Sequence, residues 1–158
     1  MKLKPSALAR AGMIASIYIV VSYILLPFSY GLIQFRAAEA LVLLPMLYPE
    51  AILGVFVGCL IANIIGGLGP WDIIGGSLVT LLAAYVTYRY RFTPIAYLSP
   101  IILNAVLVGA YLSVLLQLPY WLVALSVVAG QAGVIFLLWV PLIRFIRSAR
   151  DGAKRQDG

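Results

Sequence analysis

Apolar residues run along this chain in six stretches, separated by short breaks that are polar or rich in glycine and proline. The first, residues 7–27, gives roughly 20 residues, enough for one bilayer crossing. Residues 28–35 form a hydrophobic loop. The second stretch, 36–48, is short for a crossing and is broken near Pro45. Pro49 starts a third, 49–65, which carries Gly54 and Gly58 as a GxxxG packing motif. A tight hairpin at 47–50 joins the two. The run Gly66-Gly67-Leu68-Gly69-Pro70-Trp71-Asp72 is the clearest break. Asp72 then caps a fourth helix to about residue 88. A fifth helix covers about 97–117. After Pro119-Tyr120-Trp121 a sixth runs to about 141. Short alternating strands are missing, which excludes a β-barrel. The pattern predicts an all-α membrane protein, a bundle of six transmembrane helices.

Composition supports this reading. Of 158 residues, 64% are hydrophobic and only 10% are charged, against about 25% charged in a soluble domain. Mean hydropathy is +1.08. The net charge of +6 suits anionic lipid headgroups rather than nucleic acid, because the basic residues cluster at segment ends. With six crossings, Lys2, Lys4, Arg10, Arg89, Arg91 and the basic residues of 144–158 share one side, which the positive-inside rule makes cytoplasmic. Only Arg36 falls outside. The expectation is a multi-pass cell-membrane protein with both termini inside: a cytoplasmic N-terminus 1–6, one transmembrane domain 7–143 and a basic tail 144–158. The first apolar run is too long for a signal-peptide core and reads as a retained helix. Cys59 is the single cysteine and reads as a small packing residue.

Polar residues inside such a bundle need a reason. Gln34, Arg36, Glu39, Asn63, Asp72, Asn104 and Gln131 all map to its outer half, with Gln117 at the rim. Each has a structural alternative. Arg36 can snorkel to headgroups, Glu39 can simply pair with Arg36 one turn away, Asp72 and Asn63 can cap helices, and Asn104 and Gln131 can be interhelical glue. Together they suit a pocket for a small planar polar compound, with Trp71 or Tyr30 stacking on its ring. Ala7, Ala11 and Ala15 recur every four residues, a smooth stripe for packing within the chain or for docking a partner. Catalysis has little support, since there is no histidine, no metal-ligand cluster and no GxxxxGK[ST] loop.

The run Ile33-Gln34-Phe35-Arg36-Ala37-Ala38-Glu39-Ala40-Leu41, with Leu44-Pro45 and Pro49-Glu50, resembles the queuosine-precursor transporter family (QueT-type). So do Gly58-Cys59-Leu60-Ile61-Ala62-Asn63, Leu68-Gly69-Pro70-Trp71-Asp72-Ile73-Ile74-Gly75-Gly76-Ser77, Leu103-Asn104-Ala105 and Ala124-Leu125-Ser126-Val127. The resemblance implies the substrate-binding S component of an energy-coupling-factor (ECF) transporter for micronutrient or vitamin uptake. It further implies six helices, an outer pocket, a lid at 28–35 and a 7-deazaguanine cargo. The implied partners are a transmembrane coupling subunit, docked on the Ala7, Ala11 and Ala15 face, and two cytoplasmic ATPases. No cofactor is expected on this chain; ATP and Mg belong to the partner ATPases. One position departs: the family frequently has glutamate after the glycine of helix six, and here Gly130 is followed by Gln131. That leaves open a neutral substrate, or a role for Glu39 or Asp72 toward a cationic one. An S component for another small vitamin and a non-transport membrane scaffold subunit remain alternatives.

Overall fold

The computed structural model describes residues 4–29, 35–139 and 141. The described residues are mostly helical and include no strand. Helix α1 spans Pro5–Ile24 and is followed by a single turn, Leu26–Ser29. A 3-10 helix, α2, covers Ala37–Met46. Then come α3, Ala51–Gly66, α4, Trp71–Arg89, and α5, Pro94–Leu116. The last, α6, runs over Tyr120–Val134 and continues as a π-helical turn, Ile135–Trp139. Four helices, α1, α4, α5 and α6, are long and apolar enough to cross a bilayer; α2 and α3 are shorter. Of the six expected crossings, length and composition support four among the described residues. Tyr30, Gln34 and the basic tail lie outside the described residues.

The largest departure from expectation is α2. It is wound as a 3-10 helix, with Pro45 inside it. At about 2.0 Å per residue it reaches roughly 20 Å, where an α-helix of equal length would reach about 15 Å. Residues three apart eclipse in this geometry, so α2 has three edges. Arg36, Glu39, Val42 and Pro45 form one edge and are all buried. Ala37, Ala40, Leu43 and Met46 form the second, packed with Ala96, Val134 and Trp139. Ala38, Leu41 and Leu44 form the third, against a cluster of α1, α3 and α4 that includes Tyr18, Val55 and Ala83. The helix is thus enclosed on every side.

Around it, α1 packs most extensively on α3. Gly54 and Gly58 make this possible. A Cβ on Gly54 would lie 2.7 Å from the Ala11 carbonyl oxygen, and one on Gly58 would lie 2.7 Å from the Tyr18 Cβ. Ala11 and Ala15 are buried in the chain itself. The small-residue stripe therefore packs internally, although Ala11, Gly12 and Ala15 also floor a groove of about 230 Å³ between α1 and α3. At the opposite end from the α3–α4 turn, Arg10 pairs with Glu50 and lies over the Tyr48 ring, fastening α1 to the α2–α3 turn. The Glu50 carboxyl is held below its ordinary range by its own backbone N–H first and by Arg10 second. At the α3–α4 turn, Gly67 (φ 70°) and Gly69 (φ 100°) take left-handed conformations that a Cβ would strain.

The packing predicts a contrast. Gly58→Ala drives a methyl into Tyr18 and should destabilise the detergent-solubilised protein by about 1–3 kcal/mol. Gly12→Ala meets nothing within 4 Å and, alanine being the better helix former, should leave the melting temperature unchanged or slightly raised. Thermal unfolding of both variants decides it.

Candidate functional site

Seven of the polar side chains nominated from the sequence can be placed, and five of them converge. Arg36 stands at the N-cap of α2, where its residue 8% exposure leaves the guanidinium inside the bundle. Its Nη2 donates to Asn63 Oδ1 at 2.8 Å and to Asp72 Oδ1 at 3.3 Å. Asn63 in turn donates from Nδ2 to the Asp72 backbone carbonyl at 2.8 Å. Tyr111 donates its hydroxyl to Asp72 Oδ1 at 2.6 Å. Asp72 is fully buried and makes no cap hydrogen bond; its helix begins in a π-helical turn, Trp71–Gly76, after Pro70. The capping role expected for Asp72, and that for Asn63, is replaced by this cross-helix cluster. Gly76 leaves room for it, since a Cβ there would lie 2.9 Å from Asn63 Nδ2 and 3.0 Å from the Tyr111 hydroxyl.

One 3-10 turn along the same edge, Glu39 is also fully buried. It does not pair with Arg36, because Arg36 is drawn to Asp72. Its Oε1 accepts from the Tyr18 hydroxyl at 2.6 Å and from the Thr80 hydroxyl at 3.1 Å. Its Oε2 accepts, among the described residues, only from Asn104 Nδ2, at 3.4 Å. Cys59 joins the two groups: its Sγ lies 3.3 Å from Thr80 Oγ1 and accepts from Asn63 Nδ2 at 3.4 Å. The cysteine is buried as expected, yet it sits inside a polar network rather than in plain aliphatic packing.

Asn104 opens a π-helical turn, Asn104–Val108, in the middle of α5. Such turns widen a helix and are frequent at functional sites. Its Oδ1 is buried with no partner among the described residues. Gln131, 1% exposed on α6, has no partner for either amide atom among the described residues. The helix that carries Gln131 packs against both the Asn104 turn and α2. Buried polar atoms are almost always paired; among the described residues these three amide atoms and the Trp139 indole nitrogen have no protein partner.

Other nominated residues lie apart from this cluster. Trp71 is 73% exposed and walls an open cleft of about 490 Å³ with Tyr111, Val114, Leu115 and Gln117. Gln117 ends α5 in a left-handed conformation, its amide bonded to the Val114 carbonyl at 2.9 Å. Neither reaches the buried groups; Tyr111 touches both cleft and cluster. Sequence reasoning missed Tyr18, Thr80 and Tyr111. Tyr18 had a signal, because it follows Ala15 by three and continues the small-residue stripe. Tyr111 lies seven after Asn104, on one helical face. Thr80 had none beyond being a hydroxyl among aliphatic neighbours.

The ion pair gives a test. Arg36→Met or Asp72→Leu alone leaves a charge buried without its partner and should cost about 3–5 kcal/mol. The double variant should recover much of that loss in a thermal melt.

Neither a curated protein nor a solved structure matches the chain. The family model described as QueT transporter matches residues 8–148, most of the chain. With its apolar helices and its enclosed polar cluster, the chain is a membrane transport protein and not an enzyme, and it belongs to the QueT transporter family.

Proposed function

We propose that the chain is the substrate-binding S component of an ATP-driven ECF importer, taking up a 7-deazaguanine precursor of queuosine. The observation that carries this reading is the set of unpartnered amide atoms, Asn104 Oδ1 and both polar atoms of Gln131, next to elements that hold Glu39. A flat heterocycle with N–H and carbonyl groups on its edges satisfies such atoms; an aliphatic or purely apolar ligand does not. Glu39, Asn104 and Gln131 are the polar contacts, and Arg36, Asn63 and Asp72 frame them. Gln34 and the rest of the 28–35 segment act as the lid over the substrate. Trp71, being exposed, serves at the mouth and not in the enclosed site.

In this reading six helices traverse the membrane with both termini cytoplasmic, α2 and α3 doing so with shorter apolar lengths. The chain works with a transmembrane coupling subunit and two cytoplasmic ATPases, which bind ATP and Mg and drive release inside. Docking uses the α1 face. Because Ala11 and Ala15 are largely buried against α3, they form the floor of that face, and a partner there meets Ala7, Leu8 and Gly12 first.

Two experiments test this. Calorimetry on the detergent-solubilised chain should show saturable binding of 7-deazaguanine and none of riboflavin. Gln131→Leu should abolish that binding while stabilising the empty protein by about 1 kcal/mol or more, because unpaired buried polar atoms are removed. A purely structural glutamine predicts the opposite sign for stability. For docking, Gly12→Leu should keep ligand binding and lose uptake in cells expressing the partners; uptake at the unaltered level would reject the α1 face.

A further inference from the structure

The geometry points to Tyr111 as a gate between the open cleft at Trp71 and the buried polar cluster, with the cleft as an antechamber for a planar heterocycle. The occupant rests on the substrate reading above; the gate rests on contacts within this chain.

Tyr111 is the residue that cleft and cluster share. Its side chain walls the cleft of about 490 Å³, a volume usual for small-molecule pockets. Its hydroxyl donates to Asp72 Oδ1 at 2.6 Å. Trp71 and Asp72 are neighbours in the chain, yet Trp71 is exposed and Asp72 fully buried. The tyrosine stands at that boundary.

The contacts that hold it shut are few. On the α4 side it faces two glycines. A Cβ on Gly75 would lie 3.8 Å from the ring atoms Cδ1 and Cε1, and one on Gly76 would lie 3.0 Å from the hydroxyl. Tyr111 is half-buried at the edge of the apolar cluster of Val108, Leu112 and Val123, so its movement leaves that core in place. Asp72 keeps Arg36, at 3.3 and 3.5 Å, when the tyrosine hydroxyl leaves. Opening therefore breaks one hydrogen bond and strands no buried charge.

Behind the hydroxyl, polar groups continue inward. Asn63 donates to the Asp72 carbonyl and to Cys59 Sγ, and Thr80 links that sulfur to Glu39. A ligand passing Tyr111 exchanges one hydrogen-bonding partner for the next. In the cleft, the Trp71 indole offers a face for stacking. Gln117 offers its Oε1 to an N–H, its Nε2 being bonded to the Val114 carbonyl.

Cys59, the single cysteine and buried, reports opening without any ligand. Labelling of the detergent-solubilised chain by methyl methanethiosulfonate, followed by intact mass, should be slow in the wild type. It should be roughly fivefold faster in Tyr111→Phe, the scale of one hydrogen bond, and faster still in Tyr111→Ala. Either folded variant decides it: labelling at the wild-type rate overturns the gate. Stopped-flow tryptophan fluorescence with 7-deazaguanine should show a fast quench, lost in Trp71→Leu, and then a slower phase. Tyr111→Phe should speed that phase and release by the same factor and leave the calorimetric Kd unchanged. A weakened Kd with unaltered rates would make the tyrosine merely structural and overturn the gate. Loss of the fast quench from the wild type, as when a lipid or detergent tail fills the cleft, overturns the antechamber. Failure of the folded wild type to bind 7-deazaguanine overturns the substrate reading and the occupant, while the labelling rates still decide the gate.

Discussion

Charge held out of reach of water governs this molecule. Arg36 and Asp72 come from segments far apart in the chain, yet each is tolerable inside an apolar bundle only beside the other. Their pairing ties the start of α2 to the start of α4, and Asn63 adds the end of α3 through a bond to each. Three helix ends are thereby fixed at one point. Gly76 has to stay small there, since its neighbours are the very atoms that make those bonds.

The winding of α2 follows from the same demand. A ten-residue segment enclosed on all sides must present something useful in each direction. Three eclipsed edges do this with a short repeat: one edge polar at its head, two edges apolar throughout. The polar edge places Glu39 one 3-10 turn below Arg36, so the two polar groups lie along a line and not around a cylinder. Tyr18, Thr80 and Cys59 then bridge the depth between them.

Departures from regular α geometry fall where function is proposed. A π-helical turn carries Asp72, another begins at Asn104, and a third follows Gln131 by four residues. Each widened turn loosens the usual backbone ladder and shifts the register of the side chains that follow. Among the described residues, the unpartnered Asn104 Oδ1 and both Gln131 amide atoms are the cost of this arrangement. A stability-optimised core would have replaced them, so their presence fits a site that exchanges stability for recognition.

The sequence by itself determined the membrane-embedded, all-helical character of the chain, because long apolar runs and few charges admit no other packing. It also marked the helix breaks, the close approach at Gly54 and Gly58, and the polar residues worth asking about, since each of these is a property of one residue type in an apolar setting. Tertiary structure decided partners and geometry. Arg36 and Glu39 are three apart and predict a local pair, but a cross-helix carboxylate at Asp72 captured the guanidinium. Asp72 reads as a cap from its position, and burial turned it inward. The 3-10 winding of α2 could not be read from spacing, because enclosure on three sides arises only when the other helices surround it. Local pattern fixes which residues face an interior; which of them meet there depends on contacts between segments tens of residues apart.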